Sequence, residues 1–417
     1  MSNTGEKLVL PPRFAEEMRN DDRLDAREAN KEDMLGHVPC LAPLTGGSLD
    51  EKVIAKLMLR ITRALNTLTG PMLEEIDLTV RSHWTDRPDF HEIDLAQSSL
   101  QMISQVSSRA FTGQKLCRNK QWINTTAAYS SSALATLLTL HLFPKFLHPL
   151  LQLVLPTCRE TQDYISAARH LLTPVLEERE SVGQQQDDAI AWFQEVAAGS
   201  SCDPVSAQLS LSFVATQTTA DFFTNLLTDL CENPDLVPAL RHEIISIIGK
   251  GGMTKKAISQ LKLLDSVMKE SQRMRPPLLA TMGRRVVKSI TLSNGLKLPK
   301  GTRVCVSTSA TKDPSVYHEP ERFDGYRFLK MRTVPGQENC SQFVATSTHS
   351  MGFGHGVHAC PGRFLAGHVV KIFLCHILIK YDFRLPGGHK PDSMKSGFFV
   401  LSDAATKLLV RRRFEEI

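Results

Sequence analysis

One cysteine, set in a loop of small residues, constrains this chain more than any other feature. Residues 351–365 read MGFGHGVHACPGRFL, so Cys360 lies among Gly352, Gly354, Gly356 and Gly362. Pro361 follows it, and then an apolar pattern at helical spacing: Phe364, Leu365, Val369, Ile372 and Phe373. Proline suits the first position of a helix, because its missing N–H would be unpaired there in any case. That reading puts Cys360 at a helix N-terminus, where orphan N–H groups and the positive dipole end stabilise a thiolate. The glycines allow the main chain to approach closely where larger side chains would block it. Two other readings are weaker. A phosphate-cradling loop would be followed by Gly-Lys-Ser/Thr, which is absent. A zinc site from His355, His358 and Cys360 has no fourth ligand nearby in sequence.

The run resembles the haem-binding signature of the cytochromes P-450, F-x-x-G-x-R-x-C-x-G, through Phe353, Gly356, Cys360 and Gly362. His358 stands where the family usually has an arginine that binds a haem propionate. The resemblance implies haem b held by Cys360 as axial thiolate, a ligand that pushes electron density toward O–O cleavage. It places Phe353, Gly354, His358 and Gly362 around the cofactor. Arg285 is the better candidate for a propionate, since an arginine fork matches carboxylate geometry. Arg60 and Arg63, on a helix expected over 54–80 and broken near Gly70-Pro71, read as the solvated face of that helix.

Other motifs follow the same family order. Asp203-Pro204 is an N-cap and first-turn proline, and the apolar run after it continues to Leu230, before Asn233-Pro234 ends it. Such a helix is about 40 Å long at 1.5 Å per residue, enough to cross a domain. Its middle, Ala215-Thr216-Gln217-Thr218-Thr219, resembles the family's oxygen-binding helix. By that resemblance Ala215 leaves room for dioxygen and Thr218 assists its protonation. Gln217 replaces the family acid and can hydrogen-bond but not supply a proton as a carboxyl group does. Glu270 and Arg273 lie at i, i+3 on one helix face and can pair. The resemblance adds Arg322, from Pro320-Glu321-Arg322-Phe323, as the third member of a buried Glu-Arg-Arg cluster. It also assigns Leu278, Leu279 and Phe399 to the substrate pocket. Residues 284–306 alternate as strands around an Asn294-Gly295 turn.

The remaining composition is that of an ordinary globular chain. Of 417 residues, 49 are basic and 44 acidic, and a dispersed net charge of +5 gives no footprint for nucleic acid. Nine cysteines without C-x-x-C pairs fit reduced thiols in an intracellular protein. The most apolar region, 133–155, is interrupted by His141, Pro144, Lys145, His148 and Pro149, and reads as buried helices joined at the prolines, with contact to a membrane surface as the second option. A polar turn is expected over 183–188.

The expectation is therefore one mainly α domain over 1–417 with a minor β region, a cytochrome P-450 fold that begins after the family's usual anchor and first strands. Its implied reaction is monooxygenation of a lipophilic small molecule, such as a terpenoid or other fungal secondary metabolite. O2 and NADPH are co-substrates, and NADPH–cytochrome P-450 reductase is the partner. The family's place is the endoplasmic reticulum surface, with membrane association expected of a longer form. Two alternatives stand beside it: a haem-thiolate rearrangement or dehydration without external electrons, and a truncated remnant without turnover.

Overall fold

Several helices begin where a side chain caps them. The computed structural model describes residues 6–45, 51–182, 187–196, 203–249, 251–388 and 391–414. Short α1 (Ala15–Met18) and α2 (Ala26–Asp33) precede α3 (Glu51–Trp84), α4 (Leu95–Cys117), α5 (Lys120–Leu140), α6 (His148–Val154), α7 (Pro156–Val182), α8 (Ala189–Val196) and α9 (Pro204–Glu232). Then come α10 (Leu236–Ile248), α11 (Lys255–Gln260), α12 (Lys262–Met274), α13 (Arg327–Met331) and α14 (Arg363–Lys380). Asp94, Asn119 and Asp203 accept main-chain N–H groups at the starts of α4, α5 and α9, satisfying donors that the helix itself cannot. Residues 183–186 of the expected polar turn lie outside the described residues.

The break expected at Gly70-Pro71 does not occur; α3 runs through it. Ile61, Leu65, Leu68, Met72, Ile76 and Val80 are all buried, at a spacing of three or four that is unbroken across the proline. A proline inside a helix costs about 3 kcal/mol. Each fully buried aliphatic side chain returns about 1.5–3 kcal/mol. Burial on both sides of Pro71 therefore outweighs one lost hydrogen bond.

The strands are β1 (Leu8–Leu10), β2 (Leu24–Asp25), β3 (His91–Asp94), β4 (Ala280–Val286), β5 (Ile290–Thr291), β6 (Lys297–Leu298), β7 (Arg303–Ser307), β8 (Tyr381–Arg384), β9 (Met394–Ser396), β10 (Phe399–Leu401) and β11 (Lys407–Arg412). One sheet has the order β1-β7-β4-β2, with β1 parallel to β7 and the other pairs antiparallel. The register of β4 on β7 shifts between Thr281 and Arg284, and Met282 inside that bulge has φ 54°. A non-glycine residue held at positive φ is strained. Beyond the bulge the strand alternates as usual, so Arg284 is buried and Arg285 is not.

Helix α9 threads the molecule, packed on α4, α5, α7, α12 and α14. Its apolar side joins the main core with Phe223, Leu226, Leu227 and Leu230, while Val205 and Leu209 belong to a second core with α5 and α7. The second half of the apolar region 133–155 departs from expectation. α5 is buried along one face, but Leu142, Phe146, Leu150, Leu153 and Val154 are exposed. Pro144 precedes a short 3-10 turn and Pro149 sits in the first turn of α6, and among the described residues no element covers those side chains.

Candidate haem-thiolate site

The Cys360 loop is fixed by its own main chain and by what the glycines touch. Cys360 N donates to Phe353 O at 2.8 Å, Gly354 N to Met351 O at 2.9 Å, and Ala359 N to Gly356 O at 3.1 Å. Gly354 (φ 70°) and Gly356 (φ 81°) take the left-handed conformation that favours glycine. A Cβ on Gly352 would collide with Gln272 of α12, and one on Gly356 would stand 2.6 Å from Arg19. The loop is thus wedged between the N-terminal segment and α12. His355 is buried, with Thr346 Oγ1 at 3.2 Å and Glu16 Oε2 at 3.2 Å.

The helix after the cysteine starts later than the proline suggested. Gly362 is its N-cap and Arg363 its first residue, so Pro361 lies before the helix, in the turn. The electrostatic consequence survives. Burial pushes the Cys360 thiol up, while the N–H groups of Gly362 and Arg363 and the Arg363 guanidinium oppose that shift by favouring the thiolate. Arg363 is fixed by a 2.7 Å bond from Nη1 to Cys360 O. Cys360 remains accessible to solvent although protein surrounds it on most sides.

Ala215, Gln217 and Thr218 lie in the middle of α9. Thr216, Thr219 and Ala220 are buried, whereas Val214 and Thr218 are exposed and Ala215 and Gln217 half-buried. Thr218 Oγ1 donates to Val214 O at 2.9 Å, a bond back into the preceding turn. Aromatic rings tie this helix to the cysteine loop. Phe222 of α9 stacks on Phe343 at 5.1 Å between centroids, and Phe343 meets Phe353 edge-on at 5.2 Å.

Glu270 and Arg273 form the expected pair, with Nε and Nη2 of Arg273 each 2.8 Å from a Glu270 oxygen, both residues buried. The third member is not Arg322. Its side chain is 74% exposed and pairs with Glu319 at 3.2 Å. Arg327, the first residue of α13, takes the place, with Nε 3.1 Å from both Glu270 oxygens. Arg322 contributes its carbonyl instead, accepting from Arg327 Nη2 at 3.0 Å. The physical reason is the turn after Phe323: Asp324 N donates to Glu270 at 2.9 Å and swings the chain so that Arg327 faces inward. The missed signal was an arginine between Tyr326 and Phe328, a charge in an aromatic setting.

Arg285 is likewise committed elsewhere. It pairs with Glu32 of α2, which also faces Arg303 at 3.1 Å. Its partner is thus a protein carboxylate, and the propionate role expected of it finds no support. His358 is exposed at the end of a single 3-10 turn. Arg60 faces Glu195 at 3.0 Å on the surface, as a solvated helix face would. Of the three expected pocket residues, Leu278 forms a β-bridge with Phe399, and Leu279 N donates to the carbonyl of neighbouring Phe398 at 2.8 Å, where β4 begins beside β10.

These residues fit a haem. The donor set is a thiol with two N–H groups favouring its charged form. The four glycines let the backbone approach, and a Cβ on Gly362 would lie 3.9 Å from the Cys360 sulfur. An otherwise buried helix bares a threonine and small apolar residues. Among the described residues no cluster of His, Cys, Asp and Glu offers a competing metal site.

Comparison with known proteins agrees. The family model described as cytochrome P-450 matches residues 62–410. Cytochrome P-450 monooxygenase esdpI of Penicillium shearii is 40% identical over 427 residues, covering 100% of this chain and 83% of the relative. Cytochrome P-450 monooxygenase 1 of Gibberella fujikuroi is 39% identical, covering 100% of this chain and 98% of its own. The retinoic-acid-bound cyanobacterial CYP120A1 shares the fold, with TM-score 0.73 at 16% identity over 97% of this chain and 89% of that one. With a thiol loop, a threonine-bearing helix and a buried Glu-Arg-Arg cluster in one framework, and a family match over most of its length, this chain belongs to the cytochrome P-450 family.

Proposed function

We propose that this chain, a cytochrome P-450 monooxygenase, inserts one oxygen atom of O2 into a lipophilic secondary metabolite such as a terpenoid, the other atom leaving as water. Electrons come from NADPH through a partner reductase. The observation that carries the reading is the pairing of the Cys360 loop with the bared Val214–Thr218 face of α9, joined by the Phe222–Phe343–Phe353 contacts. A bound haem would supply oxygen activation, and Cys360 would hold its iron. The chain's own residues bind and orient around it: Ala215 leaves space, Thr218 holds a proton at Oγ1, and Glu270, Arg273 and Arg327 brace the segment leading into the cysteine loop. Leu278, Leu279 and Phe399 offer apolar contact to the substrate.

The same reading includes a membrane-facing surface. Leu142 is 75% and Phe146 79% exposed, beside the exposed Leu150, Leu153 and Val154 of α6. Among the described residues no helix is long and apolar enough to cross a bilayer. We therefore place the chain on the surface of the endoplasmic reticulum, where a membrane-bound reductase is in reach, through this apolar strip.

The test combines genetics with labelling. Metabolites are compared between a producing strain and one lacking the gene, and the accumulated precursor is then given to the purified protein with reductase, NADPH and isotopically labelled dioxygen. One labelled atom in the product is the expected result. Product formed without NADPH and without label would replace this reading with rearrangement or dehydration.

A further inference from the structure

Asp221 lies one turn beyond Gln217 on α9. Positions 214, 217, 218 and 221 are spaced i, i+3, i+4 and i+7, which sets them on one helix face. All four are exposed or half-buried, while 216, 219, 220 and 223 are buried. The accessible face of this helix therefore carries an amide, a hydroxyl and a carboxyl group side by side.

The company that Asp221 keeps is unlike that of the other interior acids. Among the described residues Glu75, Asp188, Asp229, Asp265 and Glu270 are buried, and each pairs with an arginine: Arg118, Arg179, Arg275, Arg332 and Arg273 respectively. Asp221 faces only neutral donors. Ser402, just after β10, gives it an O–H bond of 2.6 Å and an N–H contact of 3.3 Å. Gln217 Nε2 stands 3.5 Å from its other oxygen, a contact that orients more than it binds. The Gln217 Oε1 atom is buried with no partner, an acceptor left open beside this carboxyl group. An acid without a cation keeps its proton more readily, and burial indeed raises the Asp221 carboxyl, opposed only by Ser402 and Gln217. Among the described residues, burial, Ser402 and Gln217 account for that shift.

We propose that Asp221 is the acid of the oxygen-side helix, a positioning residue that replenishes the proton of Thr218 in place of the carboxyl group that Gln217 lacks. This rests on the monooxygenase reading above. The step moves one proton and no electrons. The O–H bond of Asp221 breaks as its proton passes to a solvent water, and that water passes one of its own protons to Thr218 Oγ1 as Thr218 releases its hydroxyl proton toward the oxygen side. The resulting carboxylate is stabilised by the Ser402 donors and regains a proton from solvent.

The experiment uses the full haem-loaded chain with Asp221→Asn, Asp221→Glu and Ser402→Ala. The first readout is infrared titration of the protein without turnover: a protonated-carboxyl band titrating above the ordinary aspartate range is expected, and it disappears in Asp221→Asn. The second is peroxide released per NADPH across pH. Asp221→Asn should raise that ratio on the order of tenfold at neutral pH and flatten its pH profile, as loss of a general acid does. Asp221→Glu should restore part of the coupling. Ser402→Ala, which removes the O–H donor to the charged form and keeps the N–H, should move the alkaline limb of the profile to higher pH. Unchanged coupling and profile in Asp221→Asn, or an unmoved limb in Ser402→Ala, overturns the proposal. Wild-type protein with the titrating band but no NADPH-dependent oxygen insertion overturns the monooxygenase reading and leaves the acid identified.

Discussion

Replacing Arg327 by alanine should abolish haem retention, while replacing Arg322 should hardly matter. Glu270 has no exposed surface, and its charge is balanced by Arg273 and Arg327 together. Arg327 also donates to the carbonyls of His318, Glu319 and Arg322. Removing one partner from a buried ion pair costs about 3–5 kcal/mol, because the remaining charge is left in a medium that solvates it poorly. Carbonyls stripped of donors add about 1–3 kcal/mol each where water cannot reach them, though these terms do not sum fully. Against a typical stability of about 5–15 kcal/mol, that loss takes a large share. Arg322→Ala, by contrast, removes an ion pair between side chains 74% and 54% exposed and keeps the carbonyl in place. Exposed pairs contribute about 0–1 kcal/mol.

Both variants are to be purified alongside wild type and measured for haem per protein, for the reduced carbonyl spectrum and for urea unfolding. Arg327→Ala should be haem-poor or lack the thiolate spectrum, with a lowered midpoint if it folds. Arg322→Ala should match wild type in all three. Equal damage from both would refute the reasoning, since it would mean that the side chain at 322 is not the surface group described.

Cys360→Ala should eliminate the red-shifted Soret band of the reduced carbonyl complex; retention of that band would remove Cys360 as ligand. Thr218→Ala should raise peroxide released per NADPH with haem content unchanged, and unaltered coupling would mean that another group delivers the proton. Gly356→Ala should cost haem binding, because its Cβ would fall 2.6 Å from Arg19 and the residue holds φ 81°; a normally loaded variant would show that the N-terminal segment yields freely. Lys269 gives a pH signature. Burial pushes its ammonium down to about 8, while it donates to Gln342 O and Ala345 O. Its folded pKa lies below the unfolded 10.5, so the cost of burying the charge is present below about pH 8 and lifts as pH rises toward 10.5. Wild type should thus gain stability relative to Lys269→Met across that window, and parallel stability curves would contradict it.

Much of the fold was legible because the strongest signals are local. Asp203-Pro204 and Asn233-Pro234 bracket α9, as a cap and a stop should, and the structure ends the helix at Glu232. Pro71 misled because a local rule competed with a distributed one. The proline is one residue, whereas the buried stripe from Ile61 to Val80 gathers its stabilisation from α4, α8 and α14 packed along α3. Residues 142–154 misled in the opposite sense. Apolar composition says that a segment avoids water somewhere, and burial within its own fold is only one way to do so.

The site was legible in its parts and illegible in its pairings. Sequence can place two groups on one helix, as it did for Glu270 and Arg273 and for Gln217 and Thr218. It cannot say which arginine a turn will carry inward, so Arg322 stood in for Arg327. Nor can it say that Arg285 meets Glu32, whose helix lies more than two hundred residues earlier. Asp221 was missed for the same reason. Read along the chain it is one acid on a long helix, with nothing to separate it from Asp229 two turns on. What separates them is the partner each acquires in three dimensions: Asp229 meets Arg275 of the chain just past α12, whereas Asp221 meets the hydroxyl of Ser402. The ion pair makes the first a strut between elements, even though burial raises its carboxyl too. A hydroxyl leaves the second able to hold or release a proton, on the one face of α9 where a proton is of use.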